Sequence, residues 1–129
     1  MRKRIVHQYM PVDMHEDSRR RLSIFFNGDF IAKQIKIIEV IEDDAILGNH
    51  YHTYDEAFYV VKGCANYDVY DLKTKKYANF VLVRGESLFI KAHTAHRATF
   101  NRGTIMVEAT SEKHTKEKTR KWDKWQKIR

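Results

Sequence analysis

From Leu22 to Ala109 the chain alternates short runs rich in β-branched and aromatic residues with compact breakers, a rhythm that restricts the fold more than any other feature. The breakers are Asn27-Gly28, Asp43-Asp44, the stretch from Asp71 to Lys76, Arg84-Gly85-Glu86 and Asn101-Arg102-Gly103. Between them lie runs at residues 57–61, 65–70, 77–83, 87–90, 97–100 and 104–108. Each is one strand long, and strand-plus-turn spacing of this kind predicts an all-β fold, a small antiparallel barrel or sandwich. Pro11 is the only proline, so no strand loses a ladder donor. Both residues of Asn27-Gly28 tolerate the positive φ of a type I′ turn, which predicts a hairpin joining residues 22–26 to the run 30–41. With 129 residues the chain has material for one core, so a single domain over 1–129 is expected, its barrel at about 20–110.

The segment after the strands has a different character. From residue 111 it is charged and free of glycine and proline, and Trp122, Trp125 and Ile128 stand three apart. That spacing predicts an amphipathic C-terminal helix over about 112–128, with the tryptophans docked on the barrel or on a second subunit. Residues 10–20 read as a polar lead-in. The net charge of +7 sits at the ends, +3 in residues 1–4 and +5 in residues 111–129, which leaves the middle at −1. A near-neutral barrel with basic ends argues against a nucleic-acid partner. No apolar run has the length of a membrane span and the start lacks the apolar stretch of a signal peptide, so a cytoplasmic protein with no membrane partner is expected. Cys64, the single cysteine, fits a reducing compartment and is expected as a small buried strand residue, not a nucleophile.

The chemistry concentrates in Gly48-Asn49-His50-Tyr51-His52-Thr53-Tyr54-Asp55-Glu56. His50 and His52 stand at i and i+2 and Glu56 shares their parity, so on extended backbone the three face one side. His96 would arrive from another strand. Three imidazoles and a carboxylate make a mixed nitrogen and oxygen donor set suited to Fe, Mn, Zn, Ni or Co, with positions open for a substrate. Phe58 and Val60 continue the parity of Glu56 and are expected to line the barrel wall, with Tyr59 and Val61 outside, and Tyr54 and Phe100 are further pocket candidates. His7, His15 and His114 are expected to be solvated.

This arrangement resembles the cupin superfamily, in its single-domain RmlC-like form. The first cupin motif, G-x5-H-x-H-x3-E-x6-G, is matched by His50, His52, Glu56 and Gly63, with Gly48 later than the leading glycine. The second, G-x5-P-x-G-x2-H-x3-N, is matched by Gly85 and His96, with Lys91, His93 and Phe100 as departures. The resemblance covers the middle half of the chain. It implies a jelly-roll barrel holding one divalent transition metal on His50, His52, Glu56 and His96, and a homodimer through the N-terminal strands. It also implies an enzyme acting on a small polar metabolite such as a sugar or a keto or carboxylate compound, an isomerase, lyase or dioxygenase, with His93 or Tyr54 as acid or base. A second reading is a nucleotide-sugar isomerase or epimerase that needs no metal. Asp17-Ser18-Arg19-Arg20-Arg21-Leu22 is similar to the D-x-R-G-x-L segment of the sugar 3,4-ketoisomerase branch, where paired histidines at the positions of His50 and His52 move protons beside a carbonyl. Arg19 or Arg21 would then meet a diphosphate. A third reading is a barrel that binds a small ligand without catalysis.

Overall fold

The computed structural model describes residues 7–9 and 13–128, with side chains from residue 13 onward. The strands are β1 (His7–Tyr9), β2 (Asp13–Glu16), β3 (Arg21–Ile24), β4 (Gln34–Glu39), β5 (Ala45–His52), β6 (Glu56–Lys62), β7 (Cys64–Asp71), β8 (Lys76–Val83), β9 (Ser87–Ile90), β10 (Thr94–Phe100), β11 (Ile105–Thr110) and β12 (Thr119–Lys121). Two five-stranded antiparallel sheets form, in the orders β1-β9-β6-β11-β4 and β12-β5-β10-β7-β8, and β2 pairs with β3 apart from them. This is the jelly-roll barrel expected from the strand and breaker rhythm.

Alternation decides what lies between the sheets. Phe58, Val60, Ala65, Tyr67, Val69, Leu82, Leu88, Ile90, Ala98, Phe100 and Met106 are buried together, most of them fully. Burial of one such large apolar side chain is worth about 1.5–3 kcal/mol, so this cluster is the main cohesive element. Tyr59 is half-buried and Val61 is exposed, on the outer face as expected. Cys64 is only half-buried, at the start of β7, where its N–H donates to Thr104 Oγ1.

Two local expectations are overturned. Asn27-Gly28 does not turn a hairpin, since β3 pairs with β2 while β4 pairs with β11. Phe25, Phe26 and Phe30, read as strand residues, anchor a loop on the outside of the first sheet against Ala57 and Phe89, and Phe25 stacks on Tyr59 at 5.3 Å. Aromatic burial there outweighs local strand preference. The polar lead-in, in turn, supplies β2.

The C-terminal segment forms no amphipathic helix. Its helical content is two single 3-10 turns, Lys116–Lys118 and Trp125–Lys127, with β12 between them. β12 lies along the edge of β5, with Thr119 opposite His52 and Lys121 opposite His50. Extended pairing satisfies edge N–H and C=O groups that a helix would leave open, which outweighs the three-residue tryptophan spacing. Both tryptophans do dock on the barrel. Trp122 stacks on Tyr70 at 5.2 Å, and buried Trp125 donates through Nε1 to Asn49 Oδ1 at 2.9 Å beneath the Arg97 guanidinium. Among the described residues no helix is long and apolar enough to cross a membrane.

Candidate functional site

One end of the barrel interior is polar. β5 brings His50 and His52 and β10 brings His96, all on one sheet, while Glu56 on β6, Glu108 on β11 and Lys36 on β4 face them from the other. A β-bulge aims the histidines. The β5–β10 register shifts between His96 and Arg97, with His96 opposite His50 and Arg97 opposite Gly48, which leaves Asn49 as the extra residue. Gly48 and Asn49 accordingly take φ of 104° and 57°. Only glycine fits the first position, since a Cβ there would meet the His96 carbonyl oxygen at 2.7 Å and Arg97 Cα at 3.0 Å.

The three imidazoles present ligand atoms within 4.8 Å of one another. The Glu56 carboxyl reaches between two of them, with Oε2 3.5 Å from His52 Nε2 and Oε1 3.7 Å from His96 Nε2. The opposite ring nitrogens are turned outward: His52 Nδ1 lies 2.8 Å from Thr119 Oγ1, and His96 Nδ1 faces the Thr94 carbonyl at 3.5 Å. A carbonyl only accepts, so His96 carries its proton on Nδ1 and turns a lone pair inward. Outward anchoring of one ring nitrogen is also how metal-ligating histidines are held. His50, His52 and His96 therefore bring three imidazole donors close enough to share a divalent transition ion, and among the described residues Glu56 is not part of that close group.

Burial controls the charges. It drives His52 down to about 2 and His96 down to about 3, with the neighbouring imidazoles adding to the effect, so both are neutral at ordinary pH. Half-buried His50 is also lowered by burial, against an opposing pull from Glu108. Glu56 is raised well above the carboxylate range, first by burial and then by the adjacent Glu108. Glu108 is itself 3 % exposed and pairs with Lys36 Nζ at 3.1 Å. The cavity these groups enclose has a volume of about 150 Å³ and apolar walls that include Ile38, Leu47, Phe58 and Phe100.

The cavity brings together His50, His52, Glu56, His96, Phe58 and Phe100. Val60 is fully buried in the core beyond it. Tyr54 stacks flat on the His52 ring at 4.5 Å, behind the cavity surface, with its hydroxyl 3.3 Å from His114 Nδ1. His93 is exposed and stands outside. It has φ 65° where the cupin pattern has glycine, and its N–H donates to the His52 carbonyl at 2.8 Å, so it serves as a turn residue. His114, expected to be solvated, is exposed but lines the cavity mouth, and His15 is exposed as expected. The side chain of His7 lies outside the described residues. Arg19 and Arg21 do not reach the cavity and pair locally with Asp17 and Glu16. Sequence reasoning missed Glu108, Lys36 and Thr119. The available signal for the first two was a charge at inward parity inside an apolar strand.

Residues 37–111 match the cupin domain family. No curated protein matches the chain. Solved structures do. The TDP-fucose-3,4-ketoisomerase of Campylobacter jejuni is 17% identical with a TM-score of 0.80, covering 96% of this chain and 93% of that one. A 3,4-ketoisomerase of Helicobacter canadensis is 18% identical with a TM-score of 0.81, covering 97% and 96%. The dTDP-4-dehydrorhamnose 3,5-epimerase of Bacillus anthracis, bound to TDP and pyrophosphate, is 16% identical with a TM-score of 0.77, covering 88% and 76%. At these identities the likeness is one of fold.

Proposed function

Because the chain belongs to the cupin family, whose barrel hosts unrelated chemistries in one interior, we propose that its cavity moves protons beside the carbonyl of a nucleotide-linked sugar, as an isomerase or epimerase. The observation that carries this reading is the pairing of a half-buried imidazole, His50, with the buried carboxylic acid Glu56 in one small cavity. The names of the similar structures, sugar ketoisomerases and an epimerase, point the same way.

The chain's own groups suffice for isomerisation. His50 accepts the proton from the carbon next to the carbonyl, and Glu56, whose carboxyl burial holds well above its ordinary range, gives its own proton to the carbonyl oxygen. The enediol that forms returns a proton from His50 to the former carbonyl carbon, and Glu56 takes one from the neighbouring hydroxyl. The carbonyl has then moved by one carbon with no net change in protons. Epimerisation would in addition need a proton donor on the opposite face of the carbon that lost its proton, a group distinct from His50. His52 and His96 stay neutral throughout and hold the Glu56 carboxyl in place, while Phe58, Phe100 and Leu47 exclude bulk water.

A metal-dependent reading rests on the donor set described above. A divalent transition ion on His50, His52 and His96 would polarise the substrate carbonyl as a Lewis acid. The two readings separate in one experiment. Chelator-stripped protein, its metal content checked by elemental analysis, is given TDP-4-keto-6-deoxyglucose in deuterium oxide and followed by proton NMR. Exchange at the carbon beside the carbonyl, lost in His50→Asn, supports proton transfer by the chain alone. Exchange that disappears on stripping and returns with one added transition ion moves the assignment to the metal. No exchange in either state overturns the nucleotide-sugar reading.

A further inference from the structure

A second depression opens directly onto the histidine cavity. It has a volume of about 430 Å³, is lined by Gly48, Asn49, His50, His114, Lys116, Thr119 and Lys121, and shares Gly48, His50 and His114 with the cavity. We infer that this groove holds the diphosphate of a substrate whose sugar end enters the cavity, with Lys116 and Lys121 as its cationic contacts. The inference rests on the nucleotide-sugar reading above.

Strand register places the groove. Thr119 lies opposite His52 and Lys121 opposite His50, and directly opposed residues of an antiparallel pair project from the same face. β12 therefore extends the face that carries the catalytic imidazole by one strand, and the residue at that extension is a lysine. Lys116 comes from the 3-10 turn just before β12. Among the described residues no acidic side chain lines the groove.

Several nearby cations are already engaged. Lys33 and Lys118 share Glu112, at 3.1 and 3.0 Å, Arg97 is held by Asp68 at 2.9 Å, and Lys36 is held by Glu108. Lys116 and Lys121 are exposed and have no ion-pair partner among the described residues. Size separates the two compartments. A cavity of about 150 Å³ is below the usual 300–1,000 Å³ of pockets that enclose a whole drug-sized ligand, so the remainder of a nucleotide sugar stays at the mouth. Two lysines flanking an open groove suit the charge of a diphosphate, which they meet as point charges.

Calorimetric titration of the stripped 129-residue chain with inorganic pyrophosphate, and separately with TDP, tests the site. Lys116→Ala and Lys121→Ala are each expected to weaken both ligands about tenfold, and the double variant about a hundredfold, the size of a charge-assisted contact. Lys62→Ala, at the far end of β6, is the control and is expected to bind as the parent does. Equal affinity in all variants, or an equal loss in the control, overturns the groove. The NMR exchange assay distinguishes this from failure of the reaction. Exchange with an unchanged KM in the lysine variants removes the groove and leaves the reaction. Lysine-dependent pyrophosphate binding without exchange keeps an anion site and removes the nucleotide-sugar reading.

Discussion

Replacing Gly48 by alanine perturbs the site without changing any polar side chain. Two costs add. The backbone at φ 104° is one that L-residues rarely adopt, worth about 1–3 kcal/mol. The new methyl would also stand 2.7 Å from the His96 carbonyl oxygen and 3.0 Å from Arg97 Cα, both main-chain atoms that no rotamer change can relieve. β5 and β10 must separate at the bulge, at the expense of about one ladder hydrogen bond, roughly 1 kcal/mol. A total of about 2–4 kcal/mol follows. Gly103→Ala is the matched control, since Gly103 has φ 86° with nothing within 4 Å of its Cβ position, and it carries only the first cost. Urea unfolding of both variants at constant m-value gives the difference directly. Because the separation occurs where His50 pairs with His96, proton exchange or metal uptake in Gly48→Ala should fall by at least tenfold under conditions where the variant is folded. A Gly48→Ala protein no less stable than Gly103→Ala, with an unaltered site, would refute the claim that close strand approach sets the histidine geometry.

Three further outcomes are expected. His93→Gly, which removes a side chain from a left-handed position, should stabilise the fold by about 0.5–1 kcal/mol in urea and leave proton exchange intact, and loss of exchange would return His93 to the acid–base role. Lys36→Met leaves the buried Glu108 carboxylate without its cation and should cost about 1–3 kcal/mol, most of it recovered in the Lys36→Met/Glu108→Gln double variant, a coupling that a double-mutant cycle measures. The folded-state pKa values of His52 and His96 lie below the unfolded value of 6.5, so the unfolded chain takes up protons first and stability is lost as pH falls below that value. The slope is at most about 1.4 kcal/mol per pH unit for each histidine. Glu56, raised above 4.5, acts in the opposite sense, its stabilisation declining as pH rises from that value, so Glu56→Gln should steepen the loss seen between pH 7.5 and 5 in urea unfolding of stripped protein.

The barrel was legible because turn residues and strand-length apolar runs alternate so regularly. His50, His52 and His96 were legible because strand parity and motif spacing agree. Glu56 was reached by an argument that the structure replaces: β5 ends at His52 and β6 begins at Glu56, so the carboxylate meets the imidazoles from the facing sheet and not along one strand. Glu108 and Lys36 stayed hidden because a single charge in an apolar strand reads as an outward-facing residue until the register is known. The C-terminal segment was misread for a related reason. Trp122 and Trp125 are three apart on a helix wheel, yet their positions are set by Tyr70, Asn49 and Arg97, partners far away in sequence.

The hydrogen bond between Thr119 and His52 ties the site to the order of synthesis. All four motif residues have been translated by position 96, but the hydroxyl that orients His52 is made 67 residues after that histidine, and the lysine opposite His50 later still. A chain ended at Glu112 keeps every strand of the two five-stranded sheets except β12 and loses the hydroxyl that anchors His52. Such a chain would leave the His52 ring without its Nδ1 partner.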